Sequence, residues 1–157
     1  MSPRDHGPAP TLDEVSKRII DQLQEDGRRP YAAIGKAVGL SEAAVRQRVQ
    51  RLLENGVVQI VAVTDPLQVG FSRQAMIGLR TEGDLTQIAD KLASMPEVDY
   101  VVVTAGSFDI LAEVVCEDDD DLLNLISTRV RTIPGVVSTE TFVYLKLRKQ
   151  LYNWGTR

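Results

Sequence analysis

The chain has one cysteine, Cys116, and one histidine, His6. A lone thiol cannot build an internal disulfide framework. A lone histidine in the leader MSPRDHGPAP reads as solvated, not as a metal ligand. No apolar run approaches the roughly 18–20 residues that cross a bilayer. No glycine-rich loop is spaced to cradle a phosphate, and no set of titratable groups converges in the way catalysis requires. The chain is therefore expected not to be an enzyme, and to need no metal or cofactor. The leader also lacks the apolar segment of a secretory signal. Residues 1–10 are expected to be a disordered tail, and the protein to stay in the cytoplasm with no membrane partner.

What is present fits a globular protein of 157 residues, 43% hydrophobic and 25% charged. That length suits one ordinary domain or two small ones, and two small ones would gain stability by oligomerising. The net charge of −4 is unevenly spread. Residues 1–66 balance nine basic against nine acidic side chains, so the whole excess lies in residues 67–157. Between 28 and 51, Arg28, Arg29, Lys36, Arg46, Arg48 and Arg51 face a single acid, Glu42. On charge alone this is a solvated helix face, but it is also the footprint expected of a nucleic-acid contact.

Periodicity predicts three helices first. Thr11-Leu12-Asp13-Glu14 opens one whose inner face is Val15, Ile19, Ile20 and Leu23, closed near Asp26-Gly27 by a left-handed glycine. A second runs from about Pro30 to Val38 with Ile34, Ala37 and Val38 inward. After a tight Gly39-Leu40 turn, Ser41 caps a third over 42–55, with Val45, Val49, Leu52 and Leu53 inward. Val57–Val63 is β-rich and reads as a strand, and residues 64–73 as a short hinge linker. The remainder reads strand, helix, strand, strand, helix, strand: Gln74–Arg80, a helix on Leu85, Ile88, Ala89 and Leu92, Val98–Thr104, Ile110–Cys116, a helix over Asp118–Thr132 with Leu122, Leu123, Ile126 and Val130 inward, and Val136–Leu147. This order is the ferredoxin-like βαββαβ sandwich, whose uncovered sheet face invites dimerisation. The fold class is α+β, with three helices and a strand over 11–63 and a ferredoxin-like sandwich over 74–157.

Three short helices with a glycine-containing turn before the third form a helix-turn-helix. At 100° per residue, Ala43, Gln47, Gln50 and Arg51 fall opposite the apolar side of the third helix, with Arg46 and Arg48 on its flanks. Glutamine suits adenine, and arginine suits guanine or phosphate. Base readout falls to Ala43, Gln47 and Gln50, and phosphate contact to Arg46, Arg48 and Arg51, with Tyr31 and Ser41 touching phosphate at helix ends. From periodicity alone, a generic helical bundle with a basic third helix is an equal alternative.

In order along the chain, Ile34–Ser41, Val45–Val58, Asp65-Pro66, Gly70 and Val103–Ile110 give a pattern that resembles the leucine-responsive/asparagine-responsive (Lrp/AsnC) regulator family from Leu12 to about Trp154. The resemblance implies a winged helix-turn-helix over 11–63 and a ferredoxin-like effector-binding and oligomerisation domain over 74–157, with homodimers through the sheet domains, often stacked into octamers, double-stranded DNA as a partner, and an amino-acid effector bound between dimers. It also implies that the Gly-x-x-Asp turn, here Gly106 and Asp109, lines the effector pocket. Thr104-Ala105 precede this glycine where many members are spaced differently.

An amino-acid ligand needs an anion for its ammonium, N–H groups for its carboxylate and apolar space for its side chain. Asp109, Gly106 and Ser107, and Tyr100 or Phe108 could supply these, with Thr104, Ala105, Ser138 and Thr139 nearby. Read without the resemblance, Gly106–Asp109 is a β-hairpin turn and nothing more. The acidic run Glu117–Asp121 lacks the glycine and distal glutamate of a calcium loop, so it reads as helix capping. Cys116 reads as a packed thiol, and Tyr152 and Trp154 as part of a final strand. The function expected is a sequence-specific transcription regulator responding to an amino acid. The alternatives are a ferredoxin-like amino-acid-binding module or enzyme without DNA binding, and an architectural DNA-bending protein without an effector.

Overall fold

The computed structural model describes residues 12–156; the expected tail and His6 lie outside them. The chain divides into two compact units, one built on residues up to 63 with the segment 149–157, the other on 64–148.

The first unit holds α1 (Glu14–Glu25), α2 (Tyr31–Val38) and α3 (Glu42–Glu54). Ile19, Leu23, Ile34, Val38, Val45 and Val49 bury one another at its centre. Asp13 caps α1 by accepting from the Ser16 N–H at 2.8 Å. Two details differ from the sequence reading. Gly27 does not take the left-handed conformation; α1 ends at an extended Asp26, whose carboxylate accepts from the Arg28 N–H at 2.9 Å. In α2 it is Gly35, not Ala37, that is buried with Ile34 and Val38. A Cβ on Gly35 would lie 2.5 Å from the Leu40 carbonyl oxygen, so the approach of the following turn requires glycine there.

The expected strand over 57–63 is not formed, nor is one at Tyr152–Trp154, where the two rings instead meet edge to face at 6.5 Å. β propensity makes a strand only where a partner edge completes the ladder, and no described strand offers one. Ile60, Val61 and Val63 stay exposed.

The second unit opens with a short 3-10 turn, Pro66–Gln68, and then runs β1 (Arg73–Thr81), α4 (Leu85–Ala93), β2 (Val98–Val103), β3 (Ile110–Cys116), α5 (Asp119–Asn124) and β4 (Val136–Val143). The strands form one antiparallel sheet in the order β2-β3-β1-β4, the ferredoxin-like arrangement. Ile77, Leu79, Leu92, Ile110, Leu125 and Val130 are almost fully buried between sheet and helices. β4 stops at Val143 instead of continuing to Leu147.

α5 passes directly into a π-helical segment, Leu125–Val130. Leu123 precedes that segment and lies one step, about 100°, round the helix from the buried Leu122. Leu123, expected inside, is 63% exposed, and Leu125 takes the inner position. Asp118 caps α5 by accepting from the Asp121 N–H at 2.8 Å, and Asp119 pairs with Arg73, so the acidic run does serve its helix start. Cys116 is buried, and burial together with Asp121, Glu97 and Asp118 pushes its thiol up to about 11.

The sheet face away from the helices carries the row Tyr100, Glu113, Met76 and Phe142, and beside it Val102, Leu111, Gly78 and Glu140. Tyr100 and Phe142 are exposed on this face. Gln74 donates to the Glu113 carboxylate at 2.8 Å, and burial, then Glu113, pushes the Tyr144 hydroxyl up to about 12.

Candidate DNA-binding and effector sites

The turn between α2 and α3 is set by backbone chemistry. The Gly39 and Leu40 N–H groups both donate to the Gly35 carbonyl, at 2.8 and 2.9 Å, and Gly39 sits at φ 77°, where a side chain would be strained. Ser41 then accepts from the Ala44 N–H at 3.2 Å and starts α3. Val45, Val49 and Leu52 anchor the inner face, with Leu53 half-buried beside them. Ala43, Arg46, Gln47, Gln50 and Arg51 are all exposed on the outside. The surface expected to meet DNA is therefore open within this unit.

The basic residues are not equivalent. Arg48, expected to contact phosphate, is engaged within the unit. Its guanidinium donates to both Asp13 carboxylate oxygens, at 3.0 and 2.7 Å, and to the Ser16 hydroxyl at 3.1 Å. The Ser16 hydroxyl and N–H, and then Arg48, hold the Asp13 carboxyl down at about 2. Arg48 thus ties α3 to the cap of α1. Arg46 bridges to Glu42 at 2.9 Å and lies 5.3 Å from the centre of the half-buried Tyr31 ring. Gln50 donates to Glu54 at 2.9 Å. Exposed pairs one helical turn apart contribute only about 0.3–0.5 kcal/mol, so a phosphate or a base edge can displace them. The Gln47 and Arg51 side chains are exposed, and among the described residues they bridge to no neighbour on α3 as Arg46 and Gln50 do.

The second candidate site is the end of the sheet where β2 passes into β3. Thr104 donates its N–H to the Asp109 carbonyl at 2.9 Å and its hydroxyl to the Phe108 carbonyl. Asp109 donates its N–H to Leu79 at 2.8 Å, and one of its carboxylate oxygens accepts from the Thr81 N–H at 2.7 Å. That bond spans the bulge at Arg80/Thr81 in β1, so much of the carboxylate expected to receive an ammonium is committed to backbone.

The Phe108 ring lies where a Cβ on Gly78 would sit, 2.7 Å from it. It meets Phe142 edge to face at 6.0 Å, with the Arg80 guanidinium 5.9 Å from its centre. Ala105, Gly106 and Ser107 are exposed at the tip. Tyr100 does not join them. It stands opposite Glu113, about 13 Å back along an extended strand from Thr104, away from the turn of its own chain.

Ser138 and Thr139, on β4, face Arg80 and Leu79 across the ladder. Thr139 accepts from Arg131 Nε at 2.9 Å, and Arg131 with Val136–Thr139 lines a cavity of about 300 Å³. A larger cleft, about 670 Å³, lies at the other end of the sheet between Phe71, Glu97, Val115 and Glu117, and holds none of the expected effector residues. Thr81, Arg80 and Arg131 went unnoticed in the sequence. Arg131 ends a helix, where a cation is unremarked because it suits the dipole. Among the described residues no three His, Cys, Asp or Glu side chains are grouped to hold a metal, and no helix is long and apolar enough to cross a membrane.

Known proteins divide in the same way. Residues 12–53 match the AsnC-type helix-turn-helix domain, and residues 71–157 match an AsnC regulator domain described as a C-terminal dimeric alpha+beta barrel. The HTH-type transcriptional regulator FL11 of Pyrococcus horikoshii is 35% identical over 141 residues, covering 88% of this chain and 93% of that protein. Escherichia coli AsnC superposes with a TM-score of 0.77 at 26% identity, covering 90% of this chain and 97% of that one. A Neisseria meningitidis transcriptional regulator, solved as a complex with L-Met, superposes at 0.79 with 25% identity, covering 91% of this chain and 96% of that one.

Proposed function

The chain belongs to the Lrp/AsnC family of helix-turn-helix transcription regulators, and from that premise we propose that it binds specific DNA sequences as a homodimer and responds to an amino acid. The observation that carries the DNA half is the division of α3, with Val45, Val49 and Leu52 buried and Ala43, Gln47, Gln50 and Arg51 open to solvent. In this reading Ala43 lets the helix approach closely, Gln47 and Gln50 read base edges, and Arg46 and Arg51 meet phosphate with Tyr31 and Ser41 at the helix ends. Arg48 positions the helix. A second copy covers the open sheet face, as the dimeric description of the matched C-terminal domain suggests, and dimers stack into octamers. The effector binds at the sheet end carrying Thr104, Gly106 and Asp109. Its identification as an amino acid is supported by the L-Met complex of the Neisseria regulator. The protein works in the cytoplasm.

Selection from a random DNA pool, followed by binding measurements across a salt series, tests the reading. The wild type should enrich a two-fold symmetric sequence. Arg51→Ala should weaken every sequence alike and lower the log–log salt slope by about 1. Gln47→Ala should relax the preference at one base position per half-site, at a cost of about 1–3 kcal/mol. A pool that enriches no sequence would leave an amino-acid-binding module without DNA recognition.

A further inference from the structure

Arg131 caps the π-helical end of α5, and its guanidinium is laid against β4 by the Nε bond to Thr139. No described carboxylate pairs with it. With Nε held, the two terminal nitrogens remain, and these form the fork that binds a carboxylate through two parallel bonds. The 300 Å³ cavity beside it is lined by Arg131, Val136, Val137, Ser138 and Thr139, with Arg131 its one cation. It has no acidic lining residue. β4 pairs only with β1, so it is an edge strand and offers further backbone donors along the cavity. Across the ladder, Thr81 stands opposite Val136 and donates its N–H to the Asp109 carboxylate. The cavity therefore belongs to the same end of the sheet as the Gly106–Asp109 turn.

We propose that Arg131, with Ser138 and Thr139, holds the carboxylate of the effector while Val136 and Val137 receive its aliphatic chain. A cavity lined by a cation, a serine and a threonine, with no acid, selects a small aliphatic carboxylate and does not require the ammonium. The 2-oxo acid of an amino acid should then bind here as well as the amino acid itself. This inference rests on the effector reading above and names the chemistry of that site.

The full-length protein is titrated calorimetrically with each of the twenty amino acids. The tightest binder is then replaced by its 2-oxo acid and by its primary amide. The 2-oxo acid should bind within a few-fold of the amino acid, and the amide about 10- to 100-fold more weakly, as the loss of a charge-assisted pair implies. Arg131→Met should weaken the amino acid by the same factor and Arg131→Lys by less. Both variants should keep the wild-type melting temperature without ligand, because Arg131 is exposed. An amide that binds as well as the acid, or Arg131→Met binding unchanged, overturns the subsite and leaves the effector reading intact. If no amino acid binds while DNA is still bound, the effector reading falls and takes the subsite with it.

Discussion

In the helical unit a small core of Ile19, Ile34, Val45 and Val49 is supplemented by polar ties: the Asp13 cap, the Arg48 clasp on Asp13 and Ser16, and the Ser41 cap. In the sheet unit a larger core lies between one face of the sheet and its helices, and the polar side chains gather at the strand ends. The difference follows from size, since a short three-helix unit buries too little apolar surface to hold itself by packing alone. It also separates the two proposed functions. A recognition helix must present a polar outer face, so its support comes from behind. A ligand site must enclose its guest, so it forms where strands and helix ends leave a gap.

The comparison can be broken most forcefully in the sheet unit. Leu92 is fully buried, and Leu92→Ala should cost about 2–5 kcal/mol in urea denaturation. A cost below 1 kcal/mol would mean that packing is not what holds this unit. In the helical unit the corresponding weak point is a turn. Gly35→Ala places a Cβ against the Leu40 carbonyl and should destabilise by about 1–3 kcal/mol, as overpacking does. DNA affinity should fall with it, although Gly35 is buried and touches no DNA in the proposed mode. Unchanged affinity would show that the α2–α3 turn does not set the pose of α3.

The smallest effect concerns pH. The Asp13 carboxyl is lowered from 3.8 to about 2 in the folded chain. A lowered folded pKa gives stability that is complete above the unfolded value and lost as the pH falls through the folded one. Asp13→Asn should therefore melt below the wild type at neutral pH, and the gap should close between about pH 4 and about pH 2. A gap that persists at pH 2 would assign the loss to shape, not charge.

Much of this was legible in the sequence because local chemistry and long-range packing agree. Ser41, Gly39 and the Val45/Val49/Leu52 spacing specify α3 with no knowledge of its neighbours, and the six elements after Gln74 follow one another as expected. The errors came where the outcome depends on something not nearby. Val57–Val63 has strand propensity but no ladder partner among the described residues. Leu123 is a local exception: it follows the buried Leu122 directly, and one step of about 100° round an α-helix carries it off the inner face. The surroundings of two expected site residues depend on distance in the same way. Arg48 looks like any basic helix residue until Asp13, thirty-five positions earlier, is brought beside it. Tyr100 lies close in sequence to the turn, yet an extended strand carries it away.

Phe108 gears two surfaces together. Its ring fills the space over Gly78 at the middle of the open sheet face and leans on Phe142, while its carbonyl holds the Thr104 hydroxyl in the turn. Lifting that turn by the thickness of a ring would uncover the glycine and free one side of Phe142. A guest lodged at the turn and a neighbour resting on the sheet would share custody of a single aromatic side chain, so neither could settle without registering the other.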